Sequence, residues 1–99
     1  MKTYADIQTE DRRLVILRVL QESTSYKANE FIVSTMLDNY GHSISNDRLR
    51  TDLSWLTEQG MIEVDTVRGV QIARLSARGQ DVAEGRTEVP GIKRPRAGA

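Results

Sequence analysis

The chain has 99 residues, enough for one small domain with a modest core but not for two. Its composition, 38% hydrophobic and 28% charged, is ordinary for a globular protein and excludes a disordered chain. The absence of cysteine excludes disulfides, thiolate metal sites and cysteine nucleophiles. The longest apolar run, residues 14–17, is too short to cross a membrane, and no secretory leader is visible. We therefore expect a cytoplasmic protein without a membrane partner.

Charge is distributed unevenly along the chain. The 14 basic and 14 acidic residues cancel, which argues against strong non-specific binding to nucleic acid. Residues 86–99 hold four basic side chains and one acidic side chain, a net +3, so residues 1–85 carry −3. The same end contains both prolines, a composition typical of an extended terminus. We expect one domain over residues 1–85 and a flexible basic tail over 86–99.

The first predicted helix covers residues 10–22, after a short polar lead-in over residues 1–8. Thr9 can cap its start, and acidic residues in its first turn suit the positive end of the helix dipole. Apolar residues spread well beyond a single stripe of this helix. Such a helix is either central to the core or buries a second face against a partner. We expect the second case, a homodimer through this helix and the last helix, with Ile16 facing outward.

The second predicted helix covers residues 27–40, after a polar break at 23–25, and Gly41 ends it. The third has the clearest pattern, because Leu49, Leu53 and Leu56 recur at i, i+4 and i+7 and lie on one stripe. Polar residues at its start can cap it and Gly60 can end it, so the sequence predicts a helix over residues 46–59.

A β-hairpin is predicted over residues 61–75. Apolar and β-branched residues alternate with acids over 62–66, which is the period of a strand, and Arg68-Gly69 supplies a tight turn. A last helix follows over residues 77–84. The predicted order is thus α-α-α-β-β-α, a mainly α protein with a small β-hairpin (α+β) and a flexible C-terminal tail.

This pattern resembles the winged helix-turn-helix regulators of the ArsR and MarR families. The match rests on a leucine-patterned helix that ends at Gly60, a Gly-x-Ile entry into the hairpin, and Leu75-Ser76 with Gly79, where those families have Leu-Thr-x-x-Gly. The resemblance implies a winged helix over roughly residues 10–85, with the third helix in the major groove of DNA. The short length and the ending over residues 89–96 also resemble small winged-helix proteins of Mu-like bacteriophages and prophages.

The polar face of the third helix carries the candidate DNA contacts. Asparagine can pair with adenine, arginine can bind guanine or phosphate, and a threonine methyl group can touch thymine. Cations at the wing tip and in the tail can reach the phosphates or a groove. The predicted DNA-binding residues are Asn46, Arg48, Arg50, Thr51, Ser54, Arg68, Lys93, Arg94 and Arg96.

Each of these assignments has a plainer alternative. Residues 45–59 carry three acids and two arginines, a net −1 that phosphate repels on average. Arg48 and Asp52 are four residues apart and can pair with each other on a solvated face. Arg68 also suits an ordinary turn, and the basic tail suits a solubilising end. The alternative function is a protein–protein adaptor that keeps the winged-helix scaffold without binding DNA.

Catalytic and metal sites are not indicated. No Ser/His/Asp set, phosphate-binding glycine loop or metal-ligand spacing occurs, so we expect neither an enzyme nor a cofactor. His42 is the single histidine and is interpreted as an ordinary loop residue, which leaves metal sensing unsupported. Trp55 is expected to pack against the wing or the first helix rather than to stack on a base.

Overall fold

The structure is a computed structural model that describes residues 1–96. Its three strands form one antiparallel sheet in the order β1-β3-β2. The predicted α+β order is confirmed, with one additional strand. The elements are α1 (Tyr4–Glu22), a 3-10 turn (Thr24–Tyr26), β1 (Lys27–Asn29), α2 (Glu30–Asn39), α3 (Asn46–Glu58), β2 (Ile62–Val67), β3 (Val70–Leu75) and α4 (Ala77–Ala83).

Helix α1 begins at Tyr4 rather than at residue 10. The Thr3 hydroxyl oxygen accepts a hydrogen bond from the Asp6 amide, and the Asp6 carboxylate accepts one from the Thr3 amide, each at 3.1 Å. This reciprocal capping box satisfies two amides that the helix leaves unpaired. The prediction of an irregular lead-in over residues 1–8 is therefore wrong, because a better cap precedes Thr9.

Strand β1 occupies the place where the second helix was predicted to begin. Lys27 is paired with Arg74 and Asn29 with Ile72, so β1 fills the free edge of β3. The Asn29 side chain then caps α2 by accepting from the Phe31 amide at 3.0 Å. A segment of three residues is too short to show the alternating pattern of a strand in the sequence. It forms a strand by pairing with β3, which is distant along the chain. The predicted helix over 27–40 is thus shorter, and the hairpin is part of a three-stranded sheet.

The core lies between the helices and one face of the sheet. Leu49, Leu53 and Leu56 are each 0% exposed, which confirms the predicted stripe of α3. Ile16 is also 0% exposed, so the prediction that it faces a partner is wrong. The apolar residues of α1 beyond a single stripe pack against other elements of the same chain, because this helix contacts α2, α4, β1 and β3.

Residues 86–96, here called the C-terminal strap, pack onto the domain. Val89 and Ile92 are buried and join the hydrophobic core. The Lys93 amide donates to the Glu10 carbonyl oxygen of α1 at 3.2 Å. This packing differs from the flexible tail expected from composition, because two apolar anchors are enough to seat a short segment that is otherwise polar.

The strap also covers Trp55. The Arg13 guanidinium lies 3.8 Å from the centroid of the Trp55 ring, and its Nη1 donates to the Gly91 carbonyl oxygen at 3.0 Å. Gly91 has φ +95°, and a Cβ there would lie 2.9 Å from the ring. Glycine is therefore required at this crossing on two grounds. Trp55 packs against the first helix, one of its two predicted neighbours.

The structure also bears on membrane spans and metal ligands. Across residues 1–96, no helix has both the length and the apolar character needed to cross a bilayer. Over the same residues, no three potential metal ligands gather into a cluster. His42 instead has Nε2 2.7 Å from the Asp11 carboxylate, which fastens the α2–α3 loop to α1.

Candidate nucleic-acid interface

Helix α3 presents a polar face on the side opposite its buried leucines. Ser45 caps it, and the serine hydroxyl oxygen accepts from the Arg48 amide at 3.1 Å. Thr51 and Ser54 are exposed on this face, and Arg48 is exposed at its edge towards α1, where it lines a shallow groove. The Thr51 hydroxyl donates to the Asp47 carbonyl oxygen at 3.1 Å, which leaves the threonine methyl group and oxygen lone pairs as its outward groups.

The hairpin turn forms the wing tip. Arg68 and Gly69 have φ of 51° and 80°, the positive values of a type I′ turn, which matches the twist of the two strands it joins. Glycine adopts this conformation freely, whereas arginine does so at a steric cost. Arg68 is exposed at the tip, and the turn directs a cation away from the sheet.

A buried carboxylate joins α2, α3 and the wing. Glu30, the first residue of α2, is 1% exposed. It accepts from Arg50 Nε and Nη2 at 2.8 Å each, from Asn46 Nδ2 at 2.7 Å and from the Gln71 amide at 2.6 Å. Arg50 Nη2 also donates to the Gly69 carbonyl oxygen at 2.9 Å. We call Glu30 and Arg50 the wing clamp, because together they tie the first half of α3 to Gly69 in the wing turn and to Gln71 at the start of β3.

The wing clamp is fully ionised near neutral pH. Hydrogen bonding from Arg50 is the main cause that lowers the pKa of Glu30 from 4.5 to about 2, aided by the Gln71 amide and opposed by burial. The same hydrogen bond raises the pKa of Arg50 above its ordinary value. The pair therefore places a permanent charge-assisted contact directly behind the exposed face of α3.

The predicted site residues fall into three groups. Arg48, Thr51, Ser54 and Arg68 are exposed on α3 or at the wing tip. Asn46 and Arg50 are bound to Glu30, so their polar groups are partly used inside the protein. Lys93 Nζ lies 3.2 Å from the Asp11 carboxylate, whereas Arg94 and Arg96 line a groove bounded by α1 and α4. The three tail cations therefore lie apart from α3 and the wing.

Two acidic residues have partners that the sequence did not predict. Asp52 pairs with Arg12 of α1 and not with Arg48: Arg12 Nε lies 2.5 Å from Asp52 Oδ2, and both side chains are less than 10% exposed, at 7% and 3%. Glu30 was not identified at all. Its only sequence signal is an acidic residue at the first position of a helix, which is common at helix starts and carries no information about distant partners.

The helix-turn-helix formed by α2 and α3, with the β2–β3 hairpin as wing, defines a winged helix-turn-helix domain. RosR of H. salinarum shares the fold with a TM-score of 0.64 at 21% identity, over 74% of this chain and 66% of RosR. The structure of an hsRosR-S1 complex gives 0.66 at 20% identity, over 80% of this chain and 70% of the other. Bordetella bronchiseptica BpsR, a protein whose DNA binding is regulated by 6-hydroxynicotinic acid, gives 0.62 at 16% identity, over 82% and 55%. At these identities the likeness shows the fold.

Sequence relatives narrow the class further. The chain is 53% identical to protein gp26 of Escherichia phage Mu over 91 residues, which cover 92% of this chain and 94% of gp26. It is 46% identical to a Haemophilus influenzae protein over 77 residues, which cover 77% of this chain and 74% of that protein. No protein-family model matches the chain. The chain belongs to the family of phage Mu gp26, which confirms the resemblance to proteins of Mu-like phages.

Proposed function

We propose that this protein binds double-stranded DNA as a transcriptional regulator of a phage or prophage and has no catalytic activity. The wing clamp is the observation that carries the proposal. It holds two separate elements, α3 and the wing turn, in one fixed relative position, as a surface that must fit a duplex requires. The structural likeness to BpsR supports the same function.

The proposed contacts divide between base edges and backbone. Arg48, Thr51 and Ser54 enter the major groove, where arginine binds guanine and the threonine methyl group meets thymine. Arg68 at the wing tip contacts the phosphate backbone or the minor groove. Arg50 acts behind this surface as part of the wing clamp, and the tail cations make no contact with the same stretch of DNA.

We propose further that the protein is a homodimer built on α1. Tyr4 and Ile7 are 76% and 54% exposed on its first two turns. Val15 and Arg18 continue the same side of the helix, because positions 4, 7, 15 and 18 differ by nearly whole numbers of turns. Of these four residues, Val15 and Arg18 line a groove of about 850 Å³ between α1, α4 and the end of the C-terminal strap, and Tyr4 and Ile7 lie outside it.

A second copy fits this groove. In a two-fold symmetric dimer, Tyr4 and Ile7 of each copy enter the groove beside Val15 and Arg18 of the other. Exposed apolar side chains then fill the groove twice, once on each copy. The dimer presents two α3 helices to a two-fold symmetric DNA site.

The test is fluorescence anisotropy of a labelled random duplex, titrated with protein at several salt concentrations. We expect binding whose affinity falls as salt rises, because released counterions contribute to any phosphate contact. No binding at low salt would overturn the proposal, since a sequence-specific protein also retains non-specific affinity.

A protein–protein adaptor is the second candidate function. Phe31 and Ile32 are 57% and 52% exposed on the first turn of α2, beside a shallow cavity that Met36 also lines. Exposed apolar side chains of this size are typical of surfaces that bind other proteins. Absence of DNA binding, together with loss of a partner on Phe31→Glu, would favour this function.

A further inference from the structure

We infer that Glu30 is a positioning residue for specificity: it holds Arg50 away from DNA phosphates, so that the exposed residues of α3 decide which DNA sequence is bound. This inference rests on the proposed DNA binding. The juxtaposition that carries it is a carboxylate buried beneath α3 that accepts two hydrogen bonds from the one arginine on the inner side of the wing.

Arg50 is held more firmly on Glu30 than an exposed phosphate could hold it. The Glu30 side chain is 0% exposed, and it contacts one cation, Arg50, whose own side chain is 39% exposed. Moving Arg50 to DNA would remove the counter-charge of this carboxylate and two of the four hydrogen bonds that it accepts, which is unfavourable. The ion pair formed with phosphate in its place would be exposed to solvent, screened by salt and only weakly stabilising.

The third hydrogen bond of Arg50 points to the same conclusion. Its Nη2 donates to both Glu30 and the Gly69 carbonyl oxygen, at 2.8 and 2.9 Å. A phosphate contact by this nitrogen would compete with the bond that holds the wing turn. The guanidinium is thus committed within the protein in the geometry that keeps the wing in place.

Releasing Arg50 from Glu30 should raise the affinity for DNA but lower the sequence specificity. An arginine freed beside α3 and the wing would reach any phosphate, and phosphates carry no direct sequence information. Affinity for every duplex would rise, while the advantage of the correct site would shrink. Glu30 therefore lowers non-specific affinity and preserves the ratio between specific and non-specific binding.

The experiment compares Glu30→Gln with the wild type on random duplex DNA. Glutamine keeps the size of the side chain and removes the charge that holds Arg50. We expect affinity at low salt to rise about threefold, and the slope of log affinity against log salt to steepen by about 0.9, one additional phosphate contact. The double variant Glu30→Gln/Arg50→Met should return both quantities to wild-type values.

Glu58→Gln is the matched control. Glu58 is the last residue of α3 and is exposed, so the substitution changes net charge by the same amount without touching Arg50. We expect its salt slope to equal that of the wild type. An equal steepening in this control would overturn the inference, because net charge alone would then explain the effect.

The outcomes separate the inference from the proposed function. A wild-type protein that binds no DNA refutes the proposed function itself. A wild type that binds, with a Glu30→Gln slope that is unchanged or shallower, refutes only the inference. If Glu30→Gln alone does not fold, the double variant decides: a slope equal to wild type supports a withheld Arg50, and a slope shallower by about 0.9 shows that Arg50 contacts phosphate.

Discussion

Helices α1 and α3 begin in contrasting ways. The first turn of α3 exposes polar side chains and is fixed by Glu30, which reaches it from α2. The first two turns of α1 expose Tyr4 and Ile7 and are fixed by the local capping box. One helix start thus presents a polar surface and the other an apolar surface. The two helices meet at the buried ion pair between Arg12 and Asp52.

The largest effect on stability is expected from breaking the Arg12–Asp52 ion pair between α1 and α3. Asp52→Ala leaves Arg12 buried without a counter-charge, and we expect a loss of about 3–5 kcal/mol in the free energy of unfolding. Urea denaturation followed by circular dichroism measures it. Replacing both partners, with Arg12→Met and Asp52→Leu, should recover most of the loss, because no charge is then left unpaired. A loss below about 1 kcal/mol for Asp52→Ala would show that α1 and α3 are held by apolar packing alone.

The apolar start of α1 can be tested by adding charge. Ile7→Lys should convert a dimer into a monomer, since the added cation would enter a groove of the second copy that Arg18, Arg94 and Arg96 already line. Light scattering at micromolar protein reads the mass. Ile32→Lys is the control, because Ile32 is similarly exposed but lies on α2. A wild type that is already monomeric would refute the proposed interface.

The wing clamp predicts a specific dependence of stability on pH. The pKa of Glu30 is about 2 in the folded protein against an ordinary value of 4.5. The unfolded chain therefore binds the proton first, so the stabilisation is complete above about pH 4.5 and declines as pH falls towards 2. Unfolding midpoints at pH 7, 4 and 3 should decline less steeply for Glu30→Gln than for the wild type. Parallel declines would show that Glu30 is not ion-paired in the folded state.

The smallest effect concerns the wing tip. Arg68→Asn removes the charge but suits the positive φ at this position better, so folding stability should stay equal or rise slightly. We expect DNA affinity to fall about two- to fivefold and the salt slope to become shallower by about 0.9. Melting temperature and anisotropy on the same samples separate the two effects. An unchanged slope would make Arg68 an ordinary turn residue.

Local patterns predicted α3 and the hairpin well, because a leucine stripe, a cap and a turn are all written in consecutive residues. The wing clamp is different: Glu30 binds groups 16, 20 and 41 residues further along the chain. No window of sequence contains those partners together, so Arg50 could not be separated from Arg48 by pattern alone. The start of α1 was available in Thr3 and Asp6, whose spacing is that of a capping box, but apolar periodicity begins only later.

The C-terminal strap was missed for another reason. The composition of residues 86–96 is dominated by prolines and cations, which predicts an extended tail. The two apolar side chains that anchor the strap in the core contribute little to that average. The charge of residues 45–59 is not altered by folding in the same way. Asp52 is paired with Arg12 and Arg50 with Glu30, which removes one acid and one base and leaves Asp47, Arg48 and Glu58, again a net −1.

The crossing of the strap over Trp55 gives the protein an optical reporter of its own. Trp55 is the only tryptophan in the chain, and its ring is covered by Arg13 on one side and touched by Gly91 of the strap. Detachment of the strap would admit water to the indole and shift its emission to longer wavelength. Because Trp55 belongs to α3, intrinsic fluorescence can follow the contact between the strap and α3 during DNA binding or self-association without any label.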